Sequence, residues 1–230
     1  MVRAAIRQLN DKDVRQRRRA VRKLFELDDP IAIDAFIPLL DDSDEWFRGK
    51  ALMAIQRWAS MKDLNLAEKL ASSNKIEERI LASRIATRVG KSSKTILKKL
   101  SEDENHLVKQ NAWKARLQQD ELLIKEAIEN NETGVRILAI EMIEKMDHIE
   151  DDIILKILKD NSSRVRKKAV SLLRANPKLN LSGDYDEMII NIAENDNNAQ
   201  IDAIIMLIEL SLIHISEPTR PERISYAVFC

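Results

Sequence analysis

Cysteine is almost missing from this chain. Of 230 residues only Cys230 is one, so no disulfide can close within the chain and no thiolate-rich metal site can be built. Glycine and proline are scarce as well, at four and five residues, and aromatic side chains make up only 4%. With so few breakers, and with Ala, Leu, Ile, Lys, Arg and Glu prominent, the composition leans towards helix, and no stretch alternates as a strand would. Long apolar runs are lacking too: the N-terminus, MVRAAIRQLNDKDVRQRRRAVRKL, holds no signal-peptide core, and charges interrupt every apolar run before residue 203. A cytoplasmic protein without a membrane partner is therefore expected. Hydrophobic residues at 44% and charged residues at 33% suit a chain with a sizeable core and a charged surface.

One pattern recurs along the chain. An apolar residue and an Asp/Asn-rich turn precede a helix that carries a basic residue three places before an alanine. The alanine anchors are Ala20, Ala51, Ala82, Ala112, Ala139, Ala169 and Ala203, spaced by 31, 31, 30, 27, 30 and 34 residues. That interval holds two short helices and two turns, hence one helical hairpin per repeat. Three before the anchors stand Arg17, Arg48, Arg79, Lys109, Arg136, Arg166 and Gln200; nine before, Asp11, Asp42, Asp103 and Asp160 recur. An aspartate at that point can cap the following helix, and its charge favours the helix dipole. The partner helices are predicted near residues 30–40, 63–72, 92–100, 119–129, 149–159 and 185–194. Pro30 suits a helix start, and Asn176, Pro177 and Gly183 mark the longest loop.

The copies LKDNSSRVRKKAVSLL (158–173) and LDDSDEWFRGKALMAI (40–55) carry a resemblance to HEAT repeats, in particular the short kind found in phycobilisome-lyase-like proteins. It covers residues 1–209 and implies an all-α right-handed superhelix, an α-solenoid of about seven hairpins. In that family the Asp and Arg of successive repeats bond to each other in a ladder. The resemblance therefore implies a structural role for Asp11, Arg17, Asp42, Arg48, Arg79, Asp103, Lys109, Arg136, Asp160 and Arg166. The third and seventh copies depart from the pattern: Ser73 replaces the aspartate in the third, and Glu194 and Gln200 replace both partners in the seventh.

Charge is divided between the two helix sets. The seven anchor helices, taken as 14–26, 44–58, 75–89, 106–118, 133–146, 163–175 and 197–209, hold 23 Lys/Arg against 9 Asp/Glu, while the rest of residues 1–209 hold 13 against 27. Setting aside the six basic ladder residues still leaves the anchor layer at +8. In HEAT proteins such helices line the concave surface, which would make that face basic. Positions one before, two after and six after the anchor share a helix face. They include Arg19, Arg22, Lys50, Arg57, Arg84, Arg88 and Lys114, with Lys145 and Lys168 further on. An anionic partner, an acidic protein or a nucleic acid, is one reading; a solvated face that maintains solubility is the other. The densest cluster, Arg15 to Lys23, either contacts phosphates or pairs with the acidic stretch from Glu26 to Glu45. It lacks the interleaved aromatics of a single-strand stacking platform. Trp58 and Trp113 fall in core columns. Trp46 is the one large aromatic placed to reach the surface, either to anchor a partner or to pack under the preceding repeat.

Catalysis has little to draw on. His106 and His148 are far apart and lack companions at ligand spacing, no Gly-rich phosphate loop or nucleophile elbow is present, and Asp151 and Asp152 suit a helix start. A non-enzymatic protein-binding scaffold without cofactor is expected, with an anion- or nucleic-acid-binding solenoid as the alternative.

Residues 210–230, LSLIHISEPTRPERISYAVFC, resemble the in-frame translation of a transposase-type sequencing adapter. Residues 210–220 and 224–230 match its two constant parts, and Pro221, Glu222 and Arg223 fall where a sample index would lie. The native chain is thus expected to stop near Glu209, inside a helix and short of further repeats. His214, Tyr226, Phe229 and Cys230 then carry no function.

Overall fold

A computed structural model describes residues 1–89, 93–146, 149–176 and 185–216, with side chains as far as residue 209. Pro177 and Gly183, His148, and the tail from residue 217, including Pro218, Tyr226, Phe229 and Cys230, lie outside the described residues; His214 is described in its backbone alone. Among the described residues the secondary structure is entirely helical. The chain divides into two compact units, Met1–Leu123 and Ile124–Cys230, and each is a short α-solenoid.

The first unit holds four hairpins. They pair α1 (Val2–Gln8) with α2 (Val14–Leu27), α3 (Ile33–Phe36) with α4 (Glu45–Trp58), α5 (Leu64–Ala71) with α6 (Ile76–Ala86), and α7 (Ser93–Leu100) with α8 (His106–Gln119). The second unit holds three: α9 (Ile124–Ile128) with α10 (Thr133–Ile143), α11 (Asp151–Leu158) with α12 (Ser163–Ala175), and α13 (Asp186–Asn195) with α14 (Gln200–Ser216). Within each unit, successive anchor helices also pack on one another, α4 on α6 on α8 and α10 on α12 on α14.

All seven anchor alanines have no exposed surface. A methyl group is what the helix-to-helix approach admits at that point, and every repeat supplies it. Around the anchors of the first unit pack Leu24, Phe36, Phe47, Ile55, Leu70, Ile85, Leu97 and Leu100, each at most 1% exposed. Ile140, Ile143, Ile154, Val165, Leu173 and Ile189 do the same in the second. Each such side chain contributes about 1.5–3 kcal/mol by leaving water. Phe25, Phe36 and Trp58 meet with ring centroids 5.2–5.6 Å apart and close the end of the second hairpin.

The partner helices differ from the sequence reading where proline or short length intervenes. Residues 30–40 are one short α-turn, α3, between two 3-10 segments, Pro30–Ala32 and Ile37–Asp41. Pro38 has no amide hydrogen, and its ring clashes with the carbonyl four residues back, so a continuous α-helix cannot pass through it. Pro30 opens the first 3-10 segment, with Asp29 accepting from the Ile31 amide at 3.0 Å. Residues 119–129 likewise divide into a 3-10 turn, Glu121–Leu123, and α9. Helix α1 is a partner helix that the sequence pattern did not bring out.

Candidate functional site: the anchor-helix ladder and its basic face

Six of the anchor helices start six residues before their alanine, at Val14, Glu45, Ile76, His106, Thr133 and Ser163. The turns before them share one construction. The residue nine before the anchor accepts the amide two residues on: Asp11 from Asp13 at 2.8 Å, Asp42 from Asp44 at 2.9 Å, Ser73 from Lys75 at 3.1 Å, Asp103 from Asn105 at 2.9 Å and Asp160 from Ser162 at 2.7 Å. This corrects the capping assignment. The caps are the residues two further on: Asp13, Asp44 and Asn105 accept the amides of Arg15, Trp46 and Leu107. Nine before the anchor is too early for a cap, since the side chain there closes the turn first.

Closing the turn occupies Oδ1, and in Asp42, Asp103 and Asp160 it leaves Oδ2 to the arginine of the preceding repeat. There Arg79 donates from Nε to Asp103 Oδ2 at 2.7 Å and from Nη2 to Oδ1 at 3.1 Å. Arg136 does the same to Asp160 at 2.7 and 3.0 Å, and Arg17 donates to Asp42. In the seventh repeat the acid is Asp196, which takes Arg166 Nε at 2.7 Å while its Oδ1 accepts from Asn198 and Ala199. Glu194, nine before Ala203, is exposed and is not that acid. The last turn is shorter, α14 starts only three residues before its anchor, and Gln200 donates back to the Ala193 carbonyl at 2.9 Å. Lys109 is half-buried in α8.

Each arginine is also held from behind by carbonyls of its own turn. Nη1 donates to Ser73 O from Arg79 at 3.0 Å, to Asn130 O from Arg136 at 2.8 Å and to Asp160 O from Arg166 at 2.6 Å. Arg48 is anchored in the same way, to Asp42 O at 2.8 Å and Ser43 O at 3.0 Å, but Ser73 stands where the next acid would be. Burial pushes the carboxyls of Asp42, Asp103 and Asp196 up, yet the arginine and turn-amide bonds prevail and hold them below the ordinary carboxylate value.

The candidate binding residues separate into paired and unpaired groups. Arg57 donates to Asp28 Oδ2 at 2.6 Å, and Trp58 Nε1 donates to Asp28 Oδ1 at 2.8 Å. Asp28 reaches both from a left-handed conformation at φ 46°, a cluster that no local spacing announces. Lys50 lies over the rings of Phe25 and Trp46, 5.8 and 5.7 Å from their centroids. Trp46 is half-buried, with Arg18 over its ring at 5.2 Å, so it packs under the preceding repeat. Arg88 donates to the Gln56 carbonyl. Arg84 lies between Gln56 of α4 and Asn111 of α8, 3.5 Å from each.

These contacts run across α2, α4, α6 and α8 in order. Arg22 lies one turn before Phe25 and Lys114 one turn after Asn111, so both share the face that carries Arg84. Arg19, Arg22, Arg84, Arg88 and Lys114 are exposed. Among the described residues, no carboxylate oxygen lies within 4.0 Å of any of these five. The second unit differs: Lys168 pairs with Glu144 at 2.7 Å, Lys167 with Asp202 at 3.7 Å and Arg174 with Glu209 at 3.0 Å. With Arg166 on Asp196, four of the five basic residues of α12 are paired with acids of its neighbours.

Among the described residues no group of His, Cys, Asp and Glu is placed to hold a metal, and no helix is long and apolar enough to cross a membrane. No family model matches the chain, and no curated protein matches it. Solved structures do. The X-ray structure of YibA from Escherichia coli matches with a TM-score of 0.55 at 18% identity, over 84% of this chain and 79% of that one. The CpcE–CpcF complex of a Nostoc phycocyanin lyase matches at TM-score 0.39 and 16% identity, over 91% and 82%. A designed armadillo repeat protein for modular peptide recognition matches at 0.37 and 20%, over 90% and 99%. With the first of these, the hairpin stacks define the class: the chain is a helical-repeat protein, an α-solenoid.

Proposed function

We propose that the chain is a non-catalytic binding scaffold of the HEAT-repeat kind, and that the anchor-helix face of its first unit takes an acidic segment of a protein partner. The observation that carries this reading is the contrast between the units. Four of the five basic residues of α12, Arg166, Lys167, Lys168 and Arg174, have a carboxylate within 4.0 Å, whereas Arg19, Arg22, Arg84, Arg88 and Lys114 are exposed with none within 4.0 Å among the described residues. Exposed like charges raise the cost of the compact state, and an anionic partner relieves it. Met53, 53% exposed in the same column as Arg22, Arg84 and Lys114, adds apolar surface that a phosphate backbone would not use and a peptide would.

The test is fluorescence anisotropy with a labelled Glu- and Leu-containing peptide and a single-stranded DNA of equal charge, across a salt series. Tighter binding of the peptide, lost on reversing Arg22, Arg84 and Lys114 together to Glu, supports the reading. Preference for DNA with affinity falling steeply in salt would establish the nucleic-acid alternative. We further propose that residues 210–230 come from an adapter and are foreign to the solenoid. Recovery of the same codons from the source genome would overturn this.

A further inference from the structure

The third repeat departs from the ladder at one position, and the departure leaves a formed receptor. In Arg79 and Arg136 the guanidinium is used in two halves: Nη1 is tied to the turn carbonyls behind it, and the Nε–Nη2 edge is presented to an aspartate of the next repeat. Arg48 keeps the first half, with bonds of 2.8 and 3.0 Å. Its Nε–Nη2 edge faces no carboxylate within hydrogen-bond distance among the described residues, because the acid position is Ser73, whose hydroxyl is engaged by the Lys75 amide at 3.1 Å. The side chain lines a cleft of about 310 Å³ between α4 and α6, with Leu40, Gly49, Leu52 and Lys75.

We propose that this cleft is a carboxylate-binding site, and that its ligand is an aspartate or glutamate side chain of a protein partner, standing where Asp103, Asp160 and Asp196 stand in the other rungs. Three features support it. The guanidinium is held in place before any ligand arrives, so little side-chain entropy is lost on binding. The helix surface beside it is bare: a Cβ built on Gly49 would meet nothing within 4 Å, which leaves room for an approaching chain. The charge of the cleft also selects. Lys75 is engaged by Asp41 at 2.6 Å and Glu78 at 3.1 Å, and Glu45 and Glu77 stand at the rim. The acids oppose any anion in proportion to its charge, so a monoanion paired with Arg48 is penalised less than a dianionic phosphate. The site is separate from the face that carries Arg22, Arg84 and Lys114, and it stands or falls independently.

The experiment follows side-chain Arg Nε–H and backbone amide NMR signals of the whole chain while N-acetyl-aspartamide, acetate or inorganic phosphate is added. A saturable shift at Arg48 Nε and the Gly49 amide should appear with the first two, with a dissociation constant on the order of 10 mM for a single ion-paired group. Arg79 Nε should stay still, because its edge is filled. Ser73→Asp should place a carboxylate on Arg48 and abolish the response, and Arg48→Gln should abolish it without the added acid. The triple reversal at Arg22, Arg84 and Lys114 should leave it unchanged. A wild-type protein with no saturable shift, a Ser73→Asp protein that responds as before, or tighter binding of phosphate than of acetate would each overturn the assignment.

Discussion

Replacing Arg136 by Met removes a guanidinium that is almost wholly enclosed while keeping most of its length. The side chains of Arg136 and Asp160 are each 9% exposed, and the arginine makes two bonds to that carboxylate, two to the carbonyls of Asn130 and Asn131 and one to Asn161 Oδ1. Its loss leaves a carboxylate that is buried and without its counter-charge. Removing one partner of such a pair costs about 3–5 kcal/mol, more than the pair contributes when intact, because the remaining charge must be accommodated. Arg48→Met is the internal control. It deletes only the bonds to Asp42 O and Ser43 O, a loss of about 1–2 kcal/mol, and strands no acid. Urea unfolding followed by circular dichroism, with hydrogen exchange of the α10 and α12 amides to localise the effect, should give a difference between the variants of about 1–4 kcal/mol. Equal losses would show that the carbonyl bonds, and not the aspartate, hold the arginine in place.

Ala169→Leu inserts three carbon atoms at a position with no exposed surface and should destabilise the second unit by about 1–3 kcal/mol, read as a fall in its thermal midpoint. Acid should weaken the rungs: folded-state carboxyls of Asp42, Asp103 and Asp196 lie below their unfolded value near 3.8, so their contribution is fully present above that value and is lost as the pH falls through it and below. Melts recorded from about pH 6 to about pH 3 should show the fall, and Asp103→Asn should make it shallower. Gly49→Ala, at an exposed helix position where the added methyl meets nothing, should stabilise the protein by about 0.5–1 kcal/mol in the same urea assay.

The hairpin count and the anchor register could be read from the sequence because one small residue is demanded at the same depth in every repeat, and Ala20 through Ala203 are all fully enclosed. The rungs at Arg79 and Arg136 were visible as a column for the same reason. What stayed hidden depends on turns. Asp196 was passed over because the last turn is two residues shorter, so counting back from the anchor lands on Glu194. The pairing of Asp28 with Arg57 and Trp58 spans 29 and 30 residues and needs a left-handed backbone at Asp28, which spacing alone does not encode. Apolar periodicity alone predicts too regular a partner helix at Pro38, where the missing amide hydrogen outweighs it. Charge counting found the basic layer but not its division, since the neutralising acids of α12 lie on α14 and at the end of α10.

In the intact rungs one aspartate serves two masters: Oδ1 closes its own turn and Oδ2 receives the arginine of the hairpin before it. A hairpin whose turn has formed therefore offers its predecessor a finished socket, and each addition to the stack lowers the cost of joining the next. Elements coupled only to their immediate neighbours in this way behave as a linear chain of springs. At the second-to-third junction the part-buried arginine–aspartate coil is missing, because Ser73 cannot reciprocate Arg48, and among the described residues only the exposed Lys75–Asp41 ion pair crosses in its place. Within the first unit, thermal excursions and mechanical load should concentrate at that joint, so that the first two hairpins swing or peel away together while the third and fourth, tied by Arg79 and Asp103, keep their grip.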